Sequence, residues 1–457
     1  MKRLITLLLC VGIVLMPIYT EAASISEIDT LIQAIPQDGW PQEPAIKSES
    51  AILLEVNSGT ILYAKNATEA MFPASTTKLM TALLTVENSN MEDIVTFSSK
   101  AVNSLEQGAS HIGIRPGEKL TVEDSLYGLL LPSANEVANG LAEHISGDMV
   151  EFAEMMNARA VELGAVNTHF TNPNGLHDPD HYTCAYDLAL IMSACIKNQN
   201  FIKVASTPAY VRQPDEILNK KIPMRTTHQM LRSDSVYYNE NVVSGKTGWT
   251  PDSGRCLVTY AKKGNMDLIS VTLNAQDPDQ YIDTQTLLDY GFDNFKVYQT
   301  SDSDNEYSTK SLSFSTPLMV PRKSYKLVQL DSNSQIVLPL DVSFSDLTKD
   351  ISYPDKKLDP YGVVTYLYKG YKIGEAKILS YDTERNNSSY PSSNLESTEE
   401  STGTLIVLNI WVLAGCVILL ILVLYGIHAV AQYNNPKNRR RRRNGRRRKI
   451  KFSKNMH

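Results

Sequence analysis

Cysteine is scarce, with five in 457 residues. Cys10 and Cys416 fall in apolar terminal stretches, which leaves only Cys184, Cys195 and Cys256 for everything between. So small and odd a set excludes a disulfide framework as the design, although one pair among the three stays open. Acidic residues are missing from 437–457, which hold 12 Lys/Arg. The remaining residues carry 32 basic against 50 acidic side chains, a balance of −18 that the overall net charge of −6 conceals. An acidic body with a basic tail argues against nucleic acid as the body's partner. Charged residues at 21% and hydrophobic ones at 42% exclude a wholly disordered chain and a polytopic membrane protein. The length suggests two to four structural units.

Both ends read as membrane addresses. Lys2 and Arg3 precede an apolar run from Leu4 to Ile18, followed by Thr20-Glu21-Ala22-Ala23. That order is a secretory signal peptide over 1–23, cut near Ala22 or Ala23. Cys10 follows Leu9, where a lipoprotein signal needs a small residue, so it is read as part of the apolar run. Near the other end Leu405 to Ile427 carries no charge and is long enough to cross a hydrocarbon core of about 30 Å. Arg439 to Arg443 and Arg446-Arg447-Arg448-Lys449 follow it, and excess Lys/Arg marks the cytoplasmic side of a span. The expectation is a single-pass membrane protein with a transmembrane helix over 404–428, a basic cytoplasmic tail over 429–457 and an extracytoplasmic body.

Between these ends the pattern is sheet, helices, sheet, helix. Ala51 to Val56 and Thr60 to Tyr63 flank a turn at Asn57-Ser58-Gly59 and read as a hairpin. A helix is expected to begin just after Pro73, with Leu79, Leu83 and Val86 at helical spacing. The chain looks helical from about Thr121 to Asn198 in three segments: one led by Leu126, Leu129 and Leu130, one with Phe152, Met156, Ala160 and Leu163 on a face and Gly164 as its stop, and one from Tyr186 to Ile196. Strands return near Val242, then at Cys256–Ala261 and Leu268–Leu273 around Gly264-Asn265, and a helix follows near Tyr281 to Tyr290. This order predicts an α+β fold, one antiparallel sheet built from both ends of the unit with a helical insert. Short alternating strands such as Tyr325–Val328, Gln335–Leu338 and Val363–Leu367 predict a small all-β domain over 299–380. A Ser-, Thr-, Glu- and Asn-rich stretch over 381–403 reads as a disordered stalk, and 24–47 as an N-terminal extension.

Three short motifs carry the chemistry. Ser75-Thr76-Thr77-Lys78 places a lysine three residues from a serine, on the same face of a helix. A serine hydroxyl needs a base to become a nucleophile, and a lysine amine serves if burial or a neighbouring cation keeps it neutral. On its own the motif is common by chance, and an N-cap followed by a solvated lysine is its everyday origin. Ser133-Ala134-Asn135 follows Leu129-Leu130-Leu131-Pro132; it is either a helix cap or a proton relay with an amide-binding side chain. Lys246-Thr247-Gly248 leads into a strand pattern, where Gly248 lets a substrate backbone lie along a strand edge and Lys246 and Thr247 hold a carboxylate.

In this order, in an exported protein, the three are those of serine penicillin-binding proteins and class A β-lactamases. Over roughly residues 48–380 the chain resembles the low-molecular-mass penicillin-binding proteins, serine-type D-alanyl-D-alanine carboxypeptidases. The likeness extends through Pro73 to Thr81, Leu163-Gly164 and Thr168 to Leu176. It implies a β-lactamase/transpeptidase-like catalytic domain over 48–298 that removes the terminal D-alanine from peptidoglycan stem peptides and is acylated by β-lactams. Ser75 is implied as the acylated nucleophile, Lys78 as its base and Ser133 as proton carrier. Asn135 would bind the peptide, Lys246 and Thr247 the terminal carboxylate, and the N–H groups of Ser75 and Trp249 would form the oxyanion hole beside Gly248. No cofactor or metal is implied. The chain departs from the family in having a full span and polyarginine tail where an amphipathic helix is usual. It also carries Gly254-Arg255-Cys256 where a small polar pattern is expected.

Rival readings are weaker. A class A β-lactamase needs a Glu-x-x-Leu-Asn element, and the nearest string, Asp215-Glu216-Ile217-Leu218-Asn219, has Asp in its place and lies close to Lys246. His177-Asp178-Pro179-Asp180-His181, with Cys184 nearby, imitates a metal cluster but reads more simply as a surface loop. A DD-endopeptidase and a non-catalytic penicillin-binding wall module complete the alternatives.

Overall fold

The computed structural model describes residues 24–36, 38–105, 108–304, 328–352 and 362–380. All belong to one compact unit, Met1–Ser388; a second, Ser389–His457, lies wholly outside them. The expected signal peptide, stalk, span and basic tail therefore fall outside the described residues. Among the described residues no helix is long and apolar enough to cross a membrane.

After a short N-terminal helix α1 (Ile25–Gln33), opened by a capping box between Ser24 and Glu27, the chain enters β1 (Ser50–Glu55) and β2 (Ile61–Lys65). A single 3-10 turn at Ala74–Thr77 leads into α2 (Lys78–Asn88). Then come β3 (Ile94–Thr96), α3 (Ser99–Asn103), β4 (Lys119–Thr121), α4 (Val122–Leu130), α5 (Asn135–Ser146), α6 (Met149–Glu162), α7 (Ala185–Cys195) and α8 (Gln199–Ala205). A small hairpin of β5 (Ala209–Arg212) and β6 (Ile222–Arg225) precedes β7 (Val242–Thr250), β8 (Gly254–Lys263) and β9 (Met266–Ala275). The helix α9 (Asp279–Asn294) closes this part.

The main sheet has the order β2-β1-β9-β8-β7, antiparallel throughout, so strands from both ends of the sequence share it and the helices form the insert. β9 pairs with β1 from Ser50↔Leu273 to Glu55↔Leu268, which joins the first hairpin to the last. β7 lies at the edge, with one side bonded to β8 and the other open. The core is shared by both layers. Leu79, Leu83 and Leu84 of α2 and Leu188, Ile191 and Met192 of α7 are buried with Ile52, Leu53, Ile269 and Val271 of the sheet. Each such side chain contributes about 1.5–3 kcal/mol by leaving water. From Lys78 to Thr85 every residue of α2 is buried, so its first two turns run through the core and only the end of the helix, with exposed Glu87 and Asn88, reaches solvent.

The remaining strands build a second, smaller region of two sheets, one of two strands and one of four. β10 (Phe295–Gln299) pairs with β12 (Gln335–Pro339), while β11 (Val328–Leu330), β13 (Thr348–Ser352), β14 (Gly362–Tyr368) and β15 (Tyr371–Ser380) take the order β11-β15-β14-β13. It docks on the β2 side of the main sheet. Tyr371 donates to the Ile61 carbonyl at 2.7 Å, Thr60 donates to the Ile373 carbonyl at 2.8 Å, and Trp40 meets the rings of Phe295 and Tyr371 edge-on.

One expectation is refined. The helix after Pro73 starts at Lys78, because Ala74–Thr77 winds into the tighter 3-10 turn. The stretch from Thr121 to Asn198 is helical in separate pieces, as expected: Gly164, with φ +86°, ends α6, and α7 begins at Ala185, beside the expected Tyr186. Pro173, the Asn174-Gly175 turn and Pro179 in that gap deny the backbone regular helical bonding. Of the strand expected at Tyr325–Val328, only Val328 lies among the described residues.

Candidate active site

The three motifs meet at one cavity of about 310 Å³, lined by Ser75, Ser110, Ser133, Thr227, Thr247, Gly248 and Trp249 among others. Each arrives on a different element. Ser75 sits half-buried in the 3-10 turn, Ser133 in the crossing between α4 and α5, and Lys246, Thr247, Gly248 and Trp249 on the edge strand β7.

The first serine–lysine pair is local. Lys78 is fully buried, and its Nζ lies 2.9 Å from Ser75 Oγ, 2.6 Å from Asn135 Oδ1 and 2.6 Å from the Asn174 carbonyl. The last two partners only accept hydrogen bonds. A neutral amine would give its two N–H groups to them and turn its lone pair to the Ser75 hydroxyl, the arrangement a general base requires. Burial lowers the Lys78 pKa well below the ordinary lysine range; the nearby Lys246 charge lowers it further, and Glu136 opposes the shift. The everyday origin of Ser-x-x-Lys, a solvated lysine behind a capping serine, is thereby excluded. Thr77, not Ser75, holds the N-cap position of α2, and its side chain makes no capping bond.

A second pair is assembled across the fold. Lys246 Nζ donates to Ser133 Oγ at 3.0 Å and to the Thr247 carbonyl at 2.8 Å. Burial alone brings its pKa down to about 7. Ser133 does not cap α5, since Ala134 occupies that position without a side-chain bond. Ser133 instead adopts φ +66°, and Ala74 beside Ser75 adopts φ +47°. Both are left-handed conformations that a residue with a Cβ adopts at a cost, and such strain concentrates at functional sites.

Backbone approach explains two glycines. A Cβ on Gly248 would stand 2.8 Å from the Pro73 carbonyl oxygen and 3.1 Å from Ser75 N, so β7 lies directly against the turn bearing Ser75. A Cβ on Gly175 would fall on the Ala74 carbonyl, which makes the Asn174-Gly175 turn the floor beneath Ser75.

Other residues escaped the motif reading. Glu136 accepts from the backbone N–H groups of Ile112 and Gly113 at 2.7 and 3.1 Å, and Asn135 N donates to the Ser110 carbonyl at 2.8 Å, which pins the loop bearing Ser110. Thr227 and Thr247 share a hydrogen bond of 2.6 Å, and Arg255, Asp277 and Gln280 complete one wall of the cavity. Only Asn174 carried a signal, as part of the Thr168–Leu176 stretch; the others share no local pattern with the motifs.

The histidine cluster is corrected. His177 and Asp180 are exposed, but His181 is buried and is not part of a surface loop. Its Nδ1 accepts from Thr171 N at 3.0 Å, which leaves Nε2–H to donate to Thr77 Oγ1 at 2.8 Å. Burial lowers its pKa to about 4, so it acts as a neutral brace for the nucleophile's turn. Asp215, the best β-lactamase-like candidate, accepts from Ile217 N, Leu218 N and Arg212 instead of lining the cavity. Cys184, Cys195 and Cys256 are buried free thiols, so no pair forms among them.

A family model described as D-alanyl-D-alanine carboxypeptidase matches residues 38–277. D-alanyl-D-alanine carboxypeptidase DacF of Bacillus subtilis is 32% identical over 394 residues, covering 84% of this chain and 92% of that relative. DacC of Escherichia coli is 27% identical over 353 residues, 74% of this chain and 84% of the relative. Among solved structures, penicillin binding protein 5 from Haemophilus influenzae superposes with a TM-score of 0.58 at 26% identity, over 74% of this chain and 98% of the other. The Streptomyces K15 DD-transpeptidase does so with a TM-score of 0.51 at 29% identity, over 55% and 100%.

Proposed function

The chain belongs to the D-alanyl-D-alanine carboxypeptidase family, and from its site we propose how this serine-type carboxypeptidase divides the work among its residues. It removes the terminal D-alanine of a D-Ala-D-Ala peptide through a serine acyl-enzyme and is acylated by penicillins. The substrate it meets is the stem peptide of peptidoglycan. The observation that carries the reading is Lys78 Nζ at 2.9 Å from Ser75 Oγ, with its other two directions taken by Asn135 and Asn174.

Ser75 Oγ attacks the carbonyl carbon of the penultimate D-alanine while its proton passes to Lys78. The developing oxyanion is met by the N–H groups of Ser75 and Trp249; one such donor is worth roughly 10²–10³ in rate. When the C–N bond breaks, the leaving amine takes a proton from Ser133, which is replenished by Lys246. Water then adds to the ester, its proton passing through Ser133 back to Lys246; Ser75 recovers its proton from Lys78, and the shortened peptide leaves. Asn135 serves twice, as the acceptor that orients Lys78 and as a ligand for the peptide. Thr247 borders the terminal carboxylate, with Lys246 buried behind it against Ser133. A β-lactam stops the cycle at the acyl-enzyme.

The test is mass spectrometry of a synthetic pentapeptide muropeptide with the purified protein. Loss of a single D-alanine, abolished by Ser75→Ala together with labelling by a fluorescent penicillin, is the expected result. Release of a whole second peptide would point to an endopeptidase, and labelling that survives Ser75→Ala would sink the assignment of the nucleophile.

The membrane topology is part of the same proposal. The uncharged run over 404–428 spans the bilayer once, the arginines after it stay in the cytoplasm, and the body works outside, which suits a wall substrate. Protease added to intact protoplasts should release the body and leave the basic tail protected; a fully protected body would overturn this topology.

A further inference from the structure

A terminal carboxylate entering this cavity loses much of its hydration, and a dehydrated anion needs a cation or several donors. Neither lysine of the motifs lines the cavity. Lys78 Nζ is held by Ser75, Asn135 and Asn174, and Lys246, 1% exposed, by Ser133 and the Thr247 carbonyl. Among the described residues that line it, Arg255 is the one cation and Asp277 the one anion.

Arg255 enters from β8, directly opposite Trp249 of β7. Its guanidinium carbon lies 5.2 Å over the Trp249 ring. Its Nε stands 3.8 Å from Asp277 Oδ1, beyond hydrogen-bonding range, with the arginine side chain 38% exposed. No guanidinium hydrogen bond to another described residue competes for its five donors. The group is thus oriented by an aromatic face and a distant carboxylate while its fork stays open, a geometry suited to bidentate capture of a carboxylate. Thr247, which lines the same wall and shares a hydrogen bond with Thr227, supplies a hydroxyl beside it.

We propose that Arg255, held between Trp249 and Asp277, is the residue that recognises the substrate's terminal carboxylate, which leaves Lys246 to the proton path. This rests on the carboxypeptidase reading above. It gives Arg255, in the segment that departs from the family pattern, a task that the motifs had left to Lys246 and Thr247.

The experiment compares two acyl-D-Ala-D-Ala ligands, one with a free carboxylate and one ending in a carboxamide. For Arg255→Met, kcat/KM on the carboxylate substrate should fall about 10- to 100-fold, mainly through KM, as expected for the loss of a hydrogen bond to a charged group. The carboxamide should be unaffected, and Arg255→Lys should recover part of the loss. Equal losses on both substrates, or no loss on either, would overturn the assignment. Calorimetry on Ser75→Ala reads the same point without turnover. That variant should prefer the carboxylate ligand, and adding Arg255→Met should erase the preference; a preference that persists counts against Arg255. If the wild-type protein releases no D-alanine while this preference exists and depends on Arg255, the acyl-transfer reading fails and the recognition residue stands.

Discussion

Two serine–lysine pairs bring their serines to one cavity, and they are built on opposite plans. Ser75 and Lys78 are three residues apart, and the 3-10 turn alone brings them to 2.9 Å. Ser133 and Lys246 are separated by 113 residues and meet at 3.0 Å only because the helical insert folds back on the edge strand. Both lysines are buried, yet their surroundings differ. Lys78 has burial and the Lys246 charge against it and Glu136 in its favour, whereas burial alone shifts Lys246. The lesson is that one chemical group can be tuned twice in one site: burial and a neighbouring charge act on the first amine, and burial alone, down to about 7, on the second.

The largest expected effect comes from breaking the first pair. Lys78→Met should lower the rate of acylation by a penicillin by about 10²–10⁴, the range a positioned base supplies, and more than Ser133→Ala does. Stopped-flow acylation of the two variants side by side checks it, and an equal or reversed ranking would dissolve the distinction between base and relay.

Next in size are two glycines that support the pairs in different ways. Gly175→Ala should lower the Tm through a loss of about 3 kcal/mol, since φ +79° is unsuited to alanine and its Cβ would occupy the Ala74 carbonyl. Gly248→Ala should cost less stability than Gly175→Ala, its Cβ lying 2.8 Å from the Pro73 carbonyl oxygen at an ordinary φ, while costing about 10² in acylation, because the new methyl pushes the turn bearing Ser75 out of line. Thermal melts read beside penicillin acylation rates separate the two outcomes, and a Gly248→Ala protein with normal acylation would show that β7 tolerates the displacement.

The smallest effect is also the sharpest probe of the tuning. An ionised Glu136 favours protonated Lys78 and so raises its pKa. Glu136→Gln removes that support while its carbonyl can still accept from Ile112 and Gly113. The ascending limb of the pH–rate profile, which reports loss of the Lys78 proton, should therefore move to lower pH. A limb that stays in place or moves upward would mean that Glu136 acts only on the loop bearing Ser110.

Much of this was legible before any coordinates. The hairpins of the main sheet stand out because alternating apolar residues flank turn residues such as Asn57-Ser58-Gly59 and Gly264-Asn265. The motif residues announced themselves by spacing, and the cavity brings Ser75, Ser133, Thr247, Gly248 and Trp249 into one lining. His181 misled because its neighbours Asp178, Pro179 and Asp180 are loop residues, while its own side chain turns inward to Thr77. Arg255 could not be placed, since nothing in its neighbours says which face of β8 looks into a cavity.

By itself the sequence determined the reacting groups, the order of strands and helices, and the short turn that brings Ser75 to Lys78, because those depend on neighbours within a few bonds. Only the tertiary structure decided that Lys246 reaches Ser133, that Gly175 underlies Ala74 and that Arg255 is the cation exposed to the cavity. Those are distances between segments far apart along the chain, set by how buried side chains of the helices and the sheet pack, and no local pattern of residues encodes them.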